Sequence, residues 1–244
     1  MAVARSVRSI LRRLRERARA RHFERYLDTF RSQEYVSVVQ IGAFTGNTEN
    51  DPLFAFLKQN LSDRPLWRVI IVEPIAKHFE DLKAAYHGMR VTLLQCAVAE
   101  SPGYREMLTL GEVDPEDHGF PSWLHQLSSL DEDRMGSRWE NYEGDAPTAA
   151  FFLRHARRER VWCTTVAEIL ATHGVSRLDL LQIDTEGYDA VIVGSIDLNS
   201  VAVRAINYER VLLRTDEERE IRSNLTQQGY KLRDWGQDTF AVRR

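Results

Sequence analysis

The chain of 244 residues has few of the residues that staple or punctuate a fold: two cysteines, seven prolines and thirteen glycines. Cys96 and Cys163 lie far apart in apolar, strand-like segments, without metal-ligand spacing and with no secretory signal read ahead of them. That removes disulfide frameworks and cysteine metal sites, and a reduced, cytoplasmic setting is expected. No apolar run approaches the ~20 residues that span a bilayer. The interior has no Pro/Gly/Ser-rich linker, so one domain carrying an extension and an insertion is expected. Basic-aromatic patterning of the kind that reads RNA is also missing, and no nucleic-acid partner is expected.

Charge is scarce in net terms but unevenly placed. The total of −3 conceals a balance of +7 over residues 1–31, where ten arginines face only Glu16, Glu24 and Asp28, leaving −10 on residues 32–244. Val3, Val7, Ile10, Leu11, Leu14 and Ala18 recur at helical spacing, so residues 1–31 read as a basic amphipathic helical extension. Three roles stand open for it: packing on the domain or a second subunit in an oligomer, peripheral contact with an anionic membrane, or a nucleic-acid arm or targeting segment.

From Tyr35 the pattern alternates strand with helix. YVSVVQI (Tyr35 to Ile41) is a buried strand, and Asp51-Pro52 caps a helix with Leu53, Phe54, Phe56 and Leu57 inward. Strands are predicted over 67–72, 91–98 and 103–110, with a helix over 76–86 between the first two. Periodicity then fails over 111–160, too long a stretch for a plain connection. Regular structure is expected again at Val161, followed by a Thr165/Glu168 capping box, strands over 178–183 and 201–208, a second box at Thr215/Glu218, and a closing antiparallel pair. Such alternation implies a doubly wound, mostly parallel α/β sheet whose ligands bind beyond the carboxyl ends of the strands.

Those ends carry the chemistry. Gly42-Ala43-Phe44-Thr45-Gly46 follows the first strand, Glu73-Pro74 the second, Asp184-Thr185-Glu186-Gly187 the fourth and Glu209 the fifth. Bare backbone and carboxylates on one rim suit a nucleoside-type cofactor, because an acid after strand two, expected to be solvent-facing, accepts both ribose hydroxyls. The rival dinucleotide fingerprint G-x-G-x-x-G of NAD(P)-dependent oxidoreductases is missing, since three residues separate Gly42 from Gly46 and nothing glycine-rich opens the helix at Pro52.

The sequence resembles the FkbM-type methyltransferases, in particular a branch whose first motif reads approximately QIGANDG followed by DPL. Gln40-Ile41-Gly42-Ala43, Asp51-Pro52-Leu53, Val72-Glu73-Pro74, Cys96-Ala97-Val98, Ser128-Ser129-Leu130, Leu181-Gln182-Ile183-Asp184-Thr185-Glu186-Gly187-Tyr188-Asp189, Asn207-Tyr208-Glu209 and Gly229-Tyr230 fall in the family's order. Phe44-Thr45 stands where that branch usually has Asn-Asp. The resemblance implies a seven-stranded, Rossmann-like class I methyltransferase fold and transfer of a methyl group from S-adenosylmethionine to an oxygen, often a sugar hydroxyl. It implies that Gly42 and Ala43 border the cofactor's amino-acid part, Glu73 its ribose and Cys96 and Ala97 its adenine, that Gln40, Gly46 and Pro74 also belong to the cofactor site, and that Asp184 lies near the sulfonium and the acceptor.

A hydroxyl is a poor nucleophile at neutral pH, so a base or a divalent metal such as Mg²⁺ has to assist. Asp184, Glu186 and Glu209 are the acids available for catalysis on the rim. The insertion 111–160 is the expected acceptor-binding lid over the domain 32–244, with Trp123, Trp139 and Tyr142 as sugar platforms and His118, His125 or His155 as alternative bases. A non-catalytic binding protein on the same scaffold is the competing reading from another class.

Overall fold

A computed structural model describes residues 22–48, 51–131 and 146–243. The order opens with helix α1 over 22–30, then β1 (Ser37–Ile41), α2 (Pro52–Asn60), β2 (Arg68–Val72), α3 (Ala76–Ala85), β3 (Thr92–Leu94) and β4 (Ala97–Val98). It continues with β5 (Gly103–Leu110), β6 (Ser128–Ser129), α4 (Ala146–His155), β7 (Ala156–Thr164), α5 (Val166–Thr172), β8 (Arg177–Leu178) and β9 (Leu180–Ile183). It closes with α6 (Asp189–Ser195), β10 (Ala202–Val203), β11 (Ala205–Glu209), α7 (Thr215–Gln227), β12 (Tyr230–Trp235) and β13 (Asp238–Arg243).

The large sheet runs β12-β13-β11-β9-β1-β2-β3. Its five strands from β11 to β3 are mutually parallel, and β13 joins antiparallel as half of the closing hairpin. Because side chains alternate across a strand, two cores form. Val39, Ile41, Ile70, Val72, Leu181 and Ile183 face α5, α6 and α7. Val38, Val69, Ile71 and Leu180 face α1, α2 and α3. Among the described residues, no helix is long and apolar enough to cross a membrane.

Several boundaries differ from the sequence reading. Val91 to Val98 is not one strand: β3 extends the large sheet, while β4 belongs to a second, four-stranded sheet ordered β4-β7-β5-β6. Regular structure resumes at Ala146 rather than Val161, since α4 passes directly into β7, which pairs with all of β5. The charged run Ala156-Arg-Arg-Glu-Arg hid that strand, because one of its faces is solvated. The second capping box is displaced by one residue. Arg214 is the N-cap and donates its amide to Glu217 Oε2 at 3.1 Å, so Thr215 is already helical.

The extension, too, is only partly an extension. Phe23, Leu27 and Phe30 of α1 are 1–2% exposed in the second core, and Tyr26 donates its hydroxyl to Asp179 O at 2.7 Å. The domain therefore reaches back at least to residue 22. The stripe from Val3 to Ala18 lies outside the described residues.

Candidate active site

A cleft of about 390 Å³, including its open mouth, lies at the carboxyl ends of β1 and β2, roofed by the small sheet. Gly42, Glu73, Pro74, Cys96 and Ala97 line it, together with Ser128, Leu130, Thr185 and Tyr188. Ile41, Val98 and Met107, unforeseen as lining, supply apolar walls. Gln40, Ala43 and Gly46 are not among its walls. Gln40 points to the opposite face of the sheet from Ile41, an alternation that reading along the strand end had ignored.

Gly42 has φ +77°, and a Cβ there would stand 1.7 Å from the carbonyl oxygen of Asp184. Its bareness thus joins two rim loops before any ligand is considered. Gly46 is comparable, since a Cβ would meet Tyr86 and Leu82 of the helix region behind it at 2.7 and 2.8 Å. Between them Phe44 adopts φ 50°, a left-handed conformation that Asn takes readily and Phe rarely. Its ring packs edge-on against His78, with centroids 4.5 Å apart.

Glu73 corrects an expectation. It is 3% exposed rather than solvent-facing. Its Oε2 accepts the Phe44 amide at 2.8 Å and its Oε1 the Ile75 amide at 3.0 Å, with His78 Nδ1 3.7 Å away. A carboxylate offers about four lone-pair positions, so two amide bonds leave acceptor capacity toward the cleft that Glu73 lines. The remaining acceptor positions therefore suit the two hydroxyls of a vicinal diol. Beside it, burial pushes the Cys96 thiol up to about 11, which makes it a neutral wall rather than a nucleophile.

The other rim acids are placed differently from one another. Asp184 is exposed where β9 ends, Glu186 is half-buried with φ 54°, and Glu209 is 7% exposed at the end of β11. Asp189, which the sequence reading gave no role, ties them together. Fully buried, it accepts the Thr185 amide at 3.1 Å, the Thr185 hydroxyl at 2.7 Å and the Glu209 amide at 2.9 Å. Burial holds its carboxyl above the ordinary range against those hydrogen bonds. Its position at the start of α6, four residues after Thr185, was the available signal. Among the described residues, no group of three or more His, Cys, Asp or Glu side chains is arranged to hold a metal ion.

A second unforeseen feature flanks the cleft. Tyr188 donates to Glu100 Oε2 at 2.7 Å and receives a bond from Arg105 Nη1 at 2.9 Å, while Arg105 Nη2 reaches Glu100 Oε1 at 2.7 Å. The Arg105 hydrogen bonds hold the Glu100 carboxyl down near about 2. Burial, then Glu100, push the Tyr188 phenol up to about 12. This clamp fastens the small sheet to the loop after β9.

On the sheet's other face a polar row crosses three strands, with Gln40, Gln182 and Asn207 in register. Gln40 Nε2 donates to Asp51 Oδ2 at 2.8 Å, and Asn207 Nδ2 to Asp238 Oδ2 at 2.7 Å.

The insertion's histidines separate. His118 and His155 pack with Phe151, at 5.4 and 4.6 Å between centroids, in a satellite cluster that also includes Trp123. His125 lies 3.9 Å from Asp114. Trp139 and Tyr142 lie outside the described residues.

A search of curated proteins gave no match. The family model of the methyltransferase FkbM domain matches residues 40–232, from the first rim strand to the closing hairpin, and the chain thus belongs to the FkbM methyltransferase family.

Proposed function

We propose that the protein is an S-adenosylmethionine-dependent O-methyltransferase of the class I, Rossmann-like type, acting on a hydroxyl of a sugar, glycan or other small natural-product acceptor. The observation that carries this reading is the cleft at the strand ends, where Glu73 keeps acceptor capacity beside apolar walls. Glu73 would hold the ribose hydroxyls, and Cys96, Ala97, Val98 and Met107 the adenine. The Gly42 backbone would face the amino-acid part. When bound, the cofactor supplies an electrophilic methyl group on a sulfonium.

The chain's own contribution is position and a base. Asp184 stands exposed at the end of β9, with its carbonyl against Gly42, so its carboxylate is within reach of an acceptor entering from solvent. There it orients the hydroxyl and takes its proton as the oxygen attacks, while the fixed loops hold the in-line approach. Asp189 keeps that loop and the end of β11 in one register.

The test is calorimetric titration with S-adenosylhomocysteine followed by turnover of Asp184→Asn on an identified acceptor. Micromolar binding that Glu73→Gln weakens about tenfold or more is expected from the loss of a charged hydrogen bond. For Asp184→Asn we expect a fall of about 10²-fold or more in turnover with cofactor affinity nearly unchanged. Absence of binding would overturn the cofactor assignment. Near-normal turnover would remove Asp184 from the chemistry. Repeating the assay with a chelator reads metal dependence separately.

A further inference from the structure

The large sheet has a second cleft, at the other ends of its strands. About 470 Å³ of space opens at the amino ends of β2 and β3, lined by nine residues that include Arg68, Arg90 and His173 and no carboxylate. We propose that this cleft is a second ligand site, taking a phosphate-bearing small anion.

Two arginines line one concavity, and each guanidinium is braced by main chain. Arg68 Nη1 donates to His173 O at 3.1 Å, and Arg90 Nη1 donates to Pro65 O at 3.1 Å. Each guanidinium has five N–H donors in a fixed fork, so one brace leaves four for a ligand. Among the described residues neither arginine meets a carboxylate, in contrast to Arg105, Arg157, Arg177, Arg204 and Arg222, which all do. Residues 32–244 carry a net −10, so acids are plentiful and a shared cleft holding two arginines without one is a local reversal of sign. Planar forks match the oxygens of phosphate in pairs of parallel hydrogen bonds.

The remaining walls describe the rest of the ligand. Thr92 offers a hydroxyl, while Val69, Val91 and Val175 are apolar, and Trp67 is 2% exposed with its indole N–H already bonded to Gln33 O at 3.1 Å. A phosphate carried on a small organic body fits this division, its anionic end between the arginines. The strand direction puts the site a full strand length from the methyl-transfer cleft, so occupying one does not obstruct the other.

The probe is inorganic pyrophosphate, titrated calorimetrically into the whole chain at low ionic strength, where screening of half-exposed charges is weakest. One-to-one binding is expected, with the Trp67 indole resonance shifting on titration. Arg68→Ala and Arg90→Ala should each weaken binding about tenfold or more, and Arg68→Lys should recover only part, because a point charge replaces a fork. Both side chains are exposed, so thermal melts of the variants should match the parent and confirm that binding, not folding, changed. No binding at millimolar pyrophosphate, or binding that the double alanine variant retains, overturns the proposal.

Discussion

Burial pushes the Asp238 carboxyl up to about 7 against the hydrogen bond from Asn207, with the charges of Asp189 and Asp51 adding to the rise and Arg210 opposing it. The folded chain thus binds this proton more tightly than the unfolded chain. Stability from this group is complete below the unfolded value near 4 and is lost as pH rises from there through about 7. Asp238→Asn keeps an acceptor for the Asn207 amide and removes the charge. Melting temperature measured from pH 4 to 8 should therefore fall less steeply in the variant, which becomes the more stable protein at pH 8. Glu73 illustrates the opposite limit of residue-scale reading. Its place after β2 was legible in sequence, but its burial was not, because the amides of Phe44 and Ile75 that draw it inward are visible only once the loop is folded. Glu73→Ala should accordingly lower cofactor affinity and also lower stability in chemical denaturation, the latter by about 1–3 kcal/mol for the two abandoned amides.

Elements with a local cause were readable, and those defined by distant partners were not. Thr165 and Glu168 exchange both capping bonds, at 3.1 and 3.2 Å, and Asp51 accepts from Leu53 and Phe54 as a cap before Pro52 should. Thr165→Ala should cost about 1 kcal/mol in chemical denaturation. In contrast β7 is specified by β5, some fifty residues earlier, and by little in its own run of arginines. The site divides the same way. Strand-end acids and glycines announced themselves by position, whereas the Glu100–Arg105–Tyr188 clamp joins groups 83 and 88 residues apart. Because Tyr188 lines the cleft and the clamp is half-exposed, Arg105→Met should leave the unfolding free energy in chemical denaturation within about 1 kcal/mol of the parent. It should weaken S-adenosylhomocysteine binding several-fold in calorimetry by letting the cleft wall drift.

At the scale of the whole molecule, the seam between the first helix and the last hairpin decides how the chain can be handled. Phe23 stacks on Trp235 at 5.4 Å and meets Phe240 edge-on at 5.3 Å, while Tyr26 meets Phe240 at 5.3 Å. Deleting residues 1–21 should leave a folded domain. Deleting 1–31 uncovers the aromatic groove and should give aggregation in size-exclusion chromatography, and Phe23→Ala alone should cost about 3–5 kcal/mol. The same seam sets a timetable. A ribosome releases α1 long before the β12–β13 hairpin, and domains are made at ~5–20 residues per second. The apolar side of α1 therefore waits for its final partners while the rest of the domain is made. Closure of the domain waits on the release of that hairpin, and the nascent chain depends throughout the interval on whatever shields the apolar side of α1 from its neighbours.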